Sequence, residues 1–329
     1  GVDFYRNVPK LPGTDALAEA LTADNVIVIE EYNANGIVAA PPNVPRDRVG
    51  FNNLTVDIDG VVRRNTLFAS AEDSLEQQDF YSFGLQLSLA YLQQLDPDRY
   101  TFRYDDRGIY IGDTAFPDIN ATTGGYSNVD AVAYQVLMRY RAPHRSRAGN
   151  LSTGIQIHDQ TESAPDIPIE SPQAQPSADL VAPEILIGDL LRGQFDPAAI
   201  AGKVVLIGST AESLKDYVGT PYRIGNHQAL EMSGVVMHSQ ATSQILSTVL
   251  DGQPLYGYWP QWQEWLLILG CPLAGGSLTW YFARPLPLGV VAIVGSSVIF
   301  GIGMASFLVA SVWIPITAPM LGFLLTLSL

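Results

Sequence analysis

The sequence predicts an α/β fold: an extracytoplasmic mixed sheet with flanking helices, followed by a three-helix transmembrane segment. Helix-like and strand-like periodicities alternate through residues 1–262, the pattern of an α/β domain. Residues 263–329 carry only Glu264 and Arg284 as charged side chains, whereas everything before them is richly charged. The length of 329 residues and the 47% hydrophobic content allow a buried core and exceed what one small module needs.

The elements follow in order. Residues 15–21 have helical spacing with Asp15 where a cap would sit, and residues 25–30 (Asn-Val-Ile-Val-Ile-Glu) read as a short buried strand. After a turn marked by Pro41, Pro42 and Pro45, residues 48–64 form a hairpin whose tight turn is Asp59-Gly60. Residues 80–95 repeat Phe83, Leu87, Ala90 and Tyr91 at helical intervals and stop at Asp96-Pro97, which predicts an amphipathic helix on the sheet. Residues 134–141 alternate as a strand does. Residues 159–183, acidic and rich in Pro and Ser, read as an exposed loop. Order returns at 185–191. Residues 202–211 (Gly-Lys-Val-Val-Leu-Ile-Gly-Ser-Thr-Ala) predict a continuous apolar strand ending in a glycine turn, and Met237, Ala241, Ile245 and Val249 mark a long helix over 235–250.

From Trp262 onward the pattern is that of lipid-facing helices. Residues 265–283 are uncharged over about the length that crosses a bilayer, and Arg284-Pro-Leu-Pro interrupts them. Two further uncharged runs follow, giving passes near 264–283, 288–308 and 313–329, with Gly and Ser for close helix approach. Trp259, Trp262, Trp265, Tyr281 and Trp313 fall near the predicted ends, where aromatic belts form. Arg284, in the first connection, prefers the cytoplasm and so places residues 1–262 outside.

The formal charge of −15 belongs wholly to residues 1–262, because Glu264 and Arg284 cancel. Such an anionic surface repels nucleic acid and anionic lipid headgroups alike, so no nucleic-acid partner is expected and the soluble part should stand off the bilayer that holds the rest. Cys271 is the only cysteine, which rules out an intrachain disulfide, a thiolate metal cluster and a CxxC pair. Gly1 opens no leader sequence, so an outward-facing domain is expected to have an upstream segment beyond this chain.

Several constellations resemble catalytic motifs and are better read as structure. Asp57-Ile-Asp59-Gly60 has the form of a phosphoaspartyl loop, but residues 52–56 make a poor buried strand ahead of it, and turn chemistry is the better reading. Residues 202–211 lack the G-x-G-x-x-G turn of a dinucleotide site. His144, His158, His227 and His238 have no ligand spacing, and neither Ser209 nor Ser239 sits in a G-x-S-x-G elbow. No catalytic residue, metal or cofactor is therefore assigned, and the chain is not expected to be an enzyme in itself.

Taken together, the motifs resemble the CHASE type 2 family, the second class of cyclase/histidine-kinase-associated sensory extracellular domains. The matching residues are Val49-Gly-Phe-Asn-Asn with Asp57-Ile-Asp-Gly-Val-Val-Arg-Arg, Gly124-Gly-Tyr, Tyr134-Gln-Val-Leu-Met-Arg-Tyr-Arg-Ala-Pro, residues 202–211, Asp216 with Thr220-Pro-Tyr222, and Ser233-Gly-Val-Val-Met-His-Ser-Gln. The resemblance implies a bacterial, cyanobacterial source and an outward α/β sensor held by one helix before it and three after it. It places the chain in the inner or thylakoid membrane with residues 1–262 in the periplasm or lumen, and implies relay to a cytoplasmic output module such as a cyclase or kinase. Against the family pattern the chain starts late, and its 159–183 insert is long. The resemblance brings no ligand. Chemistry nominates Arg63, Arg64, Asp216, Thr220, Tyr222 and His238 as the candidate binding residues for a small-molecule or protein ligand, with an Arg–Asp216 ion pair placed ahead of an anion held by the arginines. A homodimer or larger membrane complex is expected. The rival function is a structural or assembly subunit of a membrane complex.

Overall fold

The computed structural model describes residues 12–33, 36–71, 78–105, 108–123, 126, 133–141, 155–156, 182–224, 228–282 and 284–328. The chain forms two compact units: unit 1 is Gly1–Ala115 with Ala133–Gln253, and unit 2 is Phe116–Val132 with Pro254–Leu329.

Unit 1 begins with α1 (Thr14–Ala20), capped by Gly13; Asp15 lies one position inside the helix rather than at the cap, where a carboxylate still favours the positive end of the helix dipole. The first strand, β1 (Val28–Asn33), starts three residues later than the apolar run suggested. Its charges do not end it. Glu30 is buried but answered by Arg46, and the strand pairs in parallel with β3 (Val49–Phe51) and antiparallel with β2 (Gly36–Val38). Next come β4 (Arg64–Ala71), β5 (Gln78–Tyr81) and α2 (Phe83–Leu95), whose N-cap Ser82 accepts the Leu85 N–H. Gly50 of β3 lies so close to α2 that a Cβ there would stand 2.6 Å from Phe83 Cα.

The hairpin of β6 (Phe102–Asp105) and β7 (Gly108–Ile111) leads to β8 (Thr114–Phe116), where the chain passes into unit 2. On its return, β9 (Tyr134–Leu137) pairs antiparallel with β4. The ladder ends at Leu137 rather than Arg141; Met138 N–H still donates to the Arg63 carbonyl at 2.8 Å, and the Arg141 backbone is held by Gln240 of a later helix. A short strand, β10 (Ile155–Gln156), lies beside β12. Nearly all of the predicted 159–183 loop falls outside the described residues.

After α3 (Ile187–Leu191), residues 202–211 are not a strand. No ladder forms along them, and Val205 and Ile207 are 49% and 88% exposed. Apolar composition alone cannot make a strand; an adjacent edge must supply the hydrogen bonds. The strands that do form there are β11 (Tyr217–Ile224) and β12 (Gln228–Ser233), joined antiparallel with a register shift between Gly219 and Arg223. They lead to α4 (Gly234–Asp251), closed by Gly252 in the left-handed conformation. Of the predicted repeat Met237, Ala241 and Ile245 are buried and Val249 is half-buried. Small two- and three-stranded sheets, parallel and antiparallel, thus replace one continuous mixed sheet among the described residues.

Unit 2 contains β13 (Gly257–Tyr258), α5 (Gln261–Phe282), α6 (Pro285–Ala310), β14 (Val312–Trp313) and α7 (Thr317–Leu327). Two helices, α5 and α6, are long and apolar enough to cross a membrane, and only 6% of each apolar window is buried, unlike a soluble core helix. Over the third predicted pass the helix is α7, whose 11 residues fall short of a membrane crossing, and Trp313 belongs to β14 ahead of it. Helices α5 and α7 meet through small residues: a Cβ on Gly322 would stand 2.6 Å from Pro272 Cγ, and Thr279 donates to the Thr326 carbonyl at 3.1 Å.

Candidate functional site

The hairpin ahead of β4 carries most of the charge in the site. Gly60 adopts φ +80°, the left-handed conformation that the turn requires, and Val56 bridges Val62 across it. This folds Asp57 and Asp59 back onto the strand they precede. Asp57 Oδ1 accepts from Arg64 Nε at 3.0 Å and Nη2 at 2.8 Å, while its Oδ2 accepts from Arg63 Nη1 at 3.0 Å. Asp59 takes both Nη atoms of Arg63, at 2.8 and 2.7 Å, in a two-pronged fork. Two guanidiniums and two carboxylates therefore compensate each other within eight residues of sequence.

The two arginines differ in setting. Arg64 is 3% exposed and also donates from Nη1 to Gln135 Oε1 at 2.8 Å, whereas Arg63 sits at the rim. The Arg63 hydrogen bonds pull the Asp59 carboxyl down to about 2, and the same bonds raise the Arg63 guanidinium above its ordinary value. The expected ion pair between an arginine and Asp216 is thus replaced: the carboxylates that the arginines grip are Asp57 and Asp59. Turn geometry decides this, because a hairpin returns its own acids to its own outgoing strand at no further cost in chain ordering.

Asp216 serves another end of the fold. Its carbonyl accepts the Gly234 N–H at 3.0 Å, and its carboxylate lies so near Gly234 that a Cβ there would stand 2.5 Å from Oδ2. The acid thereby supplies negative charge at the positive end of α4. His238, one turn along, packs edge-on against Phe83 at 5.5 Å. Burial pushes its imidazole down to about 4, partly opposed by Asp216. Arg64 and His238 line one crevice with Thr66 and Ser82, and it has room for about one water molecule.

Thr220 and Tyr222 belong to β11. Thr220 is buried, and Tyr222 packs edge-on against Tyr140 at 5.9 Å. The Tyr140 hydroxyl donates to the Val62 carbonyl at 2.7 Å, and burial raises its pKa well above the ordinary phenol value. These rings border a core of Val62, Met138, Met232, Met237 and Ala241. The structure therefore gathers Arg63, Arg64 and Tyr222 around the hairpin core, lines one crevice with both Arg64 and His238, and leaves Asp216 at the head of α4.

Sequence reasoning missed a buried amide ladder. Gln240 clamps the backbone of Arg141, accepting its N–H at 2.9 Å and donating to its carbonyl at 3.2 Å. Gln244 donates to the Leu137 carbonyl at 2.8 Å and accepts from Asn65 Nδ2 at 3.2 Å. The last carbonyl of β9 and the Arg141 backbone beyond the strand are thus held by side chains of α4. The i, i+4 spacing of Gln240 and Gln244 beside the apolar stripe of α4 was the available signal.

A model of the CHASE2 domain matches residues 1–277. No curated protein and no solved structure matches the chain. The matched stretch takes in the arginine–aspartate hairpin, the head of α4 and most of α5, and on that extent the chain belongs to the CHASE2 family of sensory extracellular domains.

Proposed function

We propose that the chain is the outward-facing sensory part of a bacterial, membrane-anchored signalling protein, which relays a stimulus to a catalytic output module elsewhere in the full protein. One observation carries the reading: the match to a sensory extracellular family runs into the first of two long apolar helices of which only a small share is buried. Arg284, between those helices, favours the cytoplasmic side and so sets residues 1–262 outside. In this reading α7 lies in the third pass, over residues 313–329, and the membrane is the inner or thylakoid membrane of a cyanobacterium. Two copies of the chain side by side form the working unit.

Stimulus perception is assigned to the crevice that Arg64 and His238 both line. At its observed size a ligand enters only if the crevice widens, and α4, which lines it with His238 and Ala241, is the last element of unit 1 before residues 252–260 lead into α5. Cysteine labelling tests the orientation. In a Cys271→Ala background, Ile58→Cys should react with a membrane-impermeant maleimide on intact cells, and Ala283→Cys only after permeabilisation. The opposite pattern would overturn the proposed orientation.

A further inference from the structure

We propose that Asn120 is an acceptor for N-linked glycosylation, an inference that rests on the outward orientation given above. Asn120-Ala121-Thr122 has the N-x-T spacing that such transfer needs, and both Asn120 and Thr122 are exposed. The loop is anchored on each side, by Ile119 at 1% exposure and Thr123 at 5%. Asn120 N–H donates to Thr123 Oγ1 at 3.0 Å, and Thr123 N–H returns to the Asn120 carbonyl at 3.1 Å. Buried neighbours thus hold the backbone and the acceptor side chain projects from it.

The side-chain geometry suits the chemistry. Asn120 Oδ1 accepts both the Thr122 N–H and the Thr122 hydroxyl, each at 3.0 Å. Two donors on the amide oxygen draw electron density from the nitrogen and make an Nδ2 proton easier to lose. The co-reactant is a lipid-pyrophosphate-linked oligosaccharide. Nδ2 forms a bond to the anomeric carbon of the first sugar, the bond from that carbon to the pyrophosphate oxygen breaks, the lipid pyrophosphate departs with the electron pair, and the transferase takes the Nδ2 proton.

A second N-x-T site, Asn53-Leu54-Thr55, shows what an unsuitable one looks like. Asn53 Oδ1 accepts Tyr32 N–H at 2.9 Å, its Nδ2 donates to the Tyr32 carbonyl at 2.5 Å, and the Thr55 hydroxyl is taken by Thr66 at 2.7 Å. Folding consumes every atom the transfer would need. Asn150-Leu-Ser152 lies outside the described residues.

The test expresses the full chain in cells that carry such a donor and its transferase on the outer face of the membrane, and reads tryptic peptides by mass spectrometry. Residues 108–139 and 49–63 fall in separate peptides. The expected result is an oligosaccharide on 108–139 and none on 49–63. Asn120→Gln and Thr122→Val should abolish it, and Thr122→Ser should retain it. An unmodified 108–139 in a chain whose Ile58→Cys is labelled from outside overturns the acceptor site alone. An unmodified 108–139 in a chain whose Ile58→Cys is protected overturns the orientation and the site with it. Equal modification of both peptides refutes the selection by folded geometry.

Discussion

Replacing Asp57 by Asn tests whether the hairpin's charges hold the fold. The substitution keeps size and one acceptor oxygen, so what it removes is the negative charge that both Nε and Nη2 of Arg64 grip. Arg64 is 3% exposed and the Asp57 side chain 8%, so the guanidinium cannot recover its hydration without opening the structure. Removing one partner of such a pair costs about 3–5 kcal/mol. Asp59→Asn provides the control, because its pair with Arg63 is 50% exposed on the acid side and pairs of that kind contribute about 0.2–1 kcal/mol. For a unit of this size each kcal/mol shifts the melting midpoint by about 2–4 °C. Asp57→Asn should therefore lower the midpoint by about 6–20 °C and Asp59→Asn by no more than about 4 °C. The assay is thermal unfolding of the full chain in detergent, followed by near-UV circular dichroism. Equal shifts for the two variants, or an unchanged midpoint for Asp57→Asn, would refute the reasoning. The double variant Asp57→Asn/Arg64→Met should recover part of the loss, since it no longer buries an uncompensated charge.

Three other outcomes are expected. Gly50→Ala should destabilise by at least about 1–3 kcal/mol, because the new methyl meets the Phe83 backbone rather than a side chain that can turn aside; a denaturant midpoint reads it. Gln240→Ala should cost about 1–3 kcal/mol and speed hydrogen exchange at the Arg141 amide, which loses the acceptor that shields it. His238 is held near 4 when folded and returns to about 6.5 when unfolded, so the unfolded chain binds the extra proton in between. Its contribution is therefore fully present above pH 6.5 and is lost as pH falls, by roughly 2 kcal/mol at pH 5 and roughly 3 at pH 4. A His238→Phe variant should show a shallower acid slope in denaturant titrations between pH 6.5 and 4, and an identical slope would count against the assignment.

Local patterns read from the sequence survive best where the chain's own neighbours decide the structure. The Asp59-Gly60 turn, the end of α2 at Leu95 and the Met237–Ala241–Ile245 stripe all depend on residues within one or two turns of each other. Of the predicted α2 stripe, by contrast, Leu87 is buried and Ala90 is exposed, the helix packing through Leu85, Leu89 and Leu92 instead. Residues 202–211 failed the same reading because a strand needs a distant edge, which composition does not report. The site shows the same division. Arg63 and Arg64 stood out as charges on an apolar strand, yet their partners were sought far away at Asp216 while the hairpin delivered Asp57 and Asp59 from a few residues upstream. Gln135, Gln240 and Gln244 went unnoticed because a glutamine whose work is to bind backbone looks, in sequence, like any solvated polar residue.

The small pairing of β13 with β14 limits how unit 2 can deform. Gly257 sits opposite Val312 and Tyr258 opposite Trp313, just before α5 departs and just after α6 returns, and Tyr256 stacks on Phe307 beside them. Sliding one of these rods past the other by a single helical turn, about 5.4 Å, would tear both pairings and the ring stack at once. A piston stroke of α5 against α6 is thus closed off. What remains cheap is a shared tilt or a swivel of both rods together, with α7 carried along by its grip on Gly275 and Pro272.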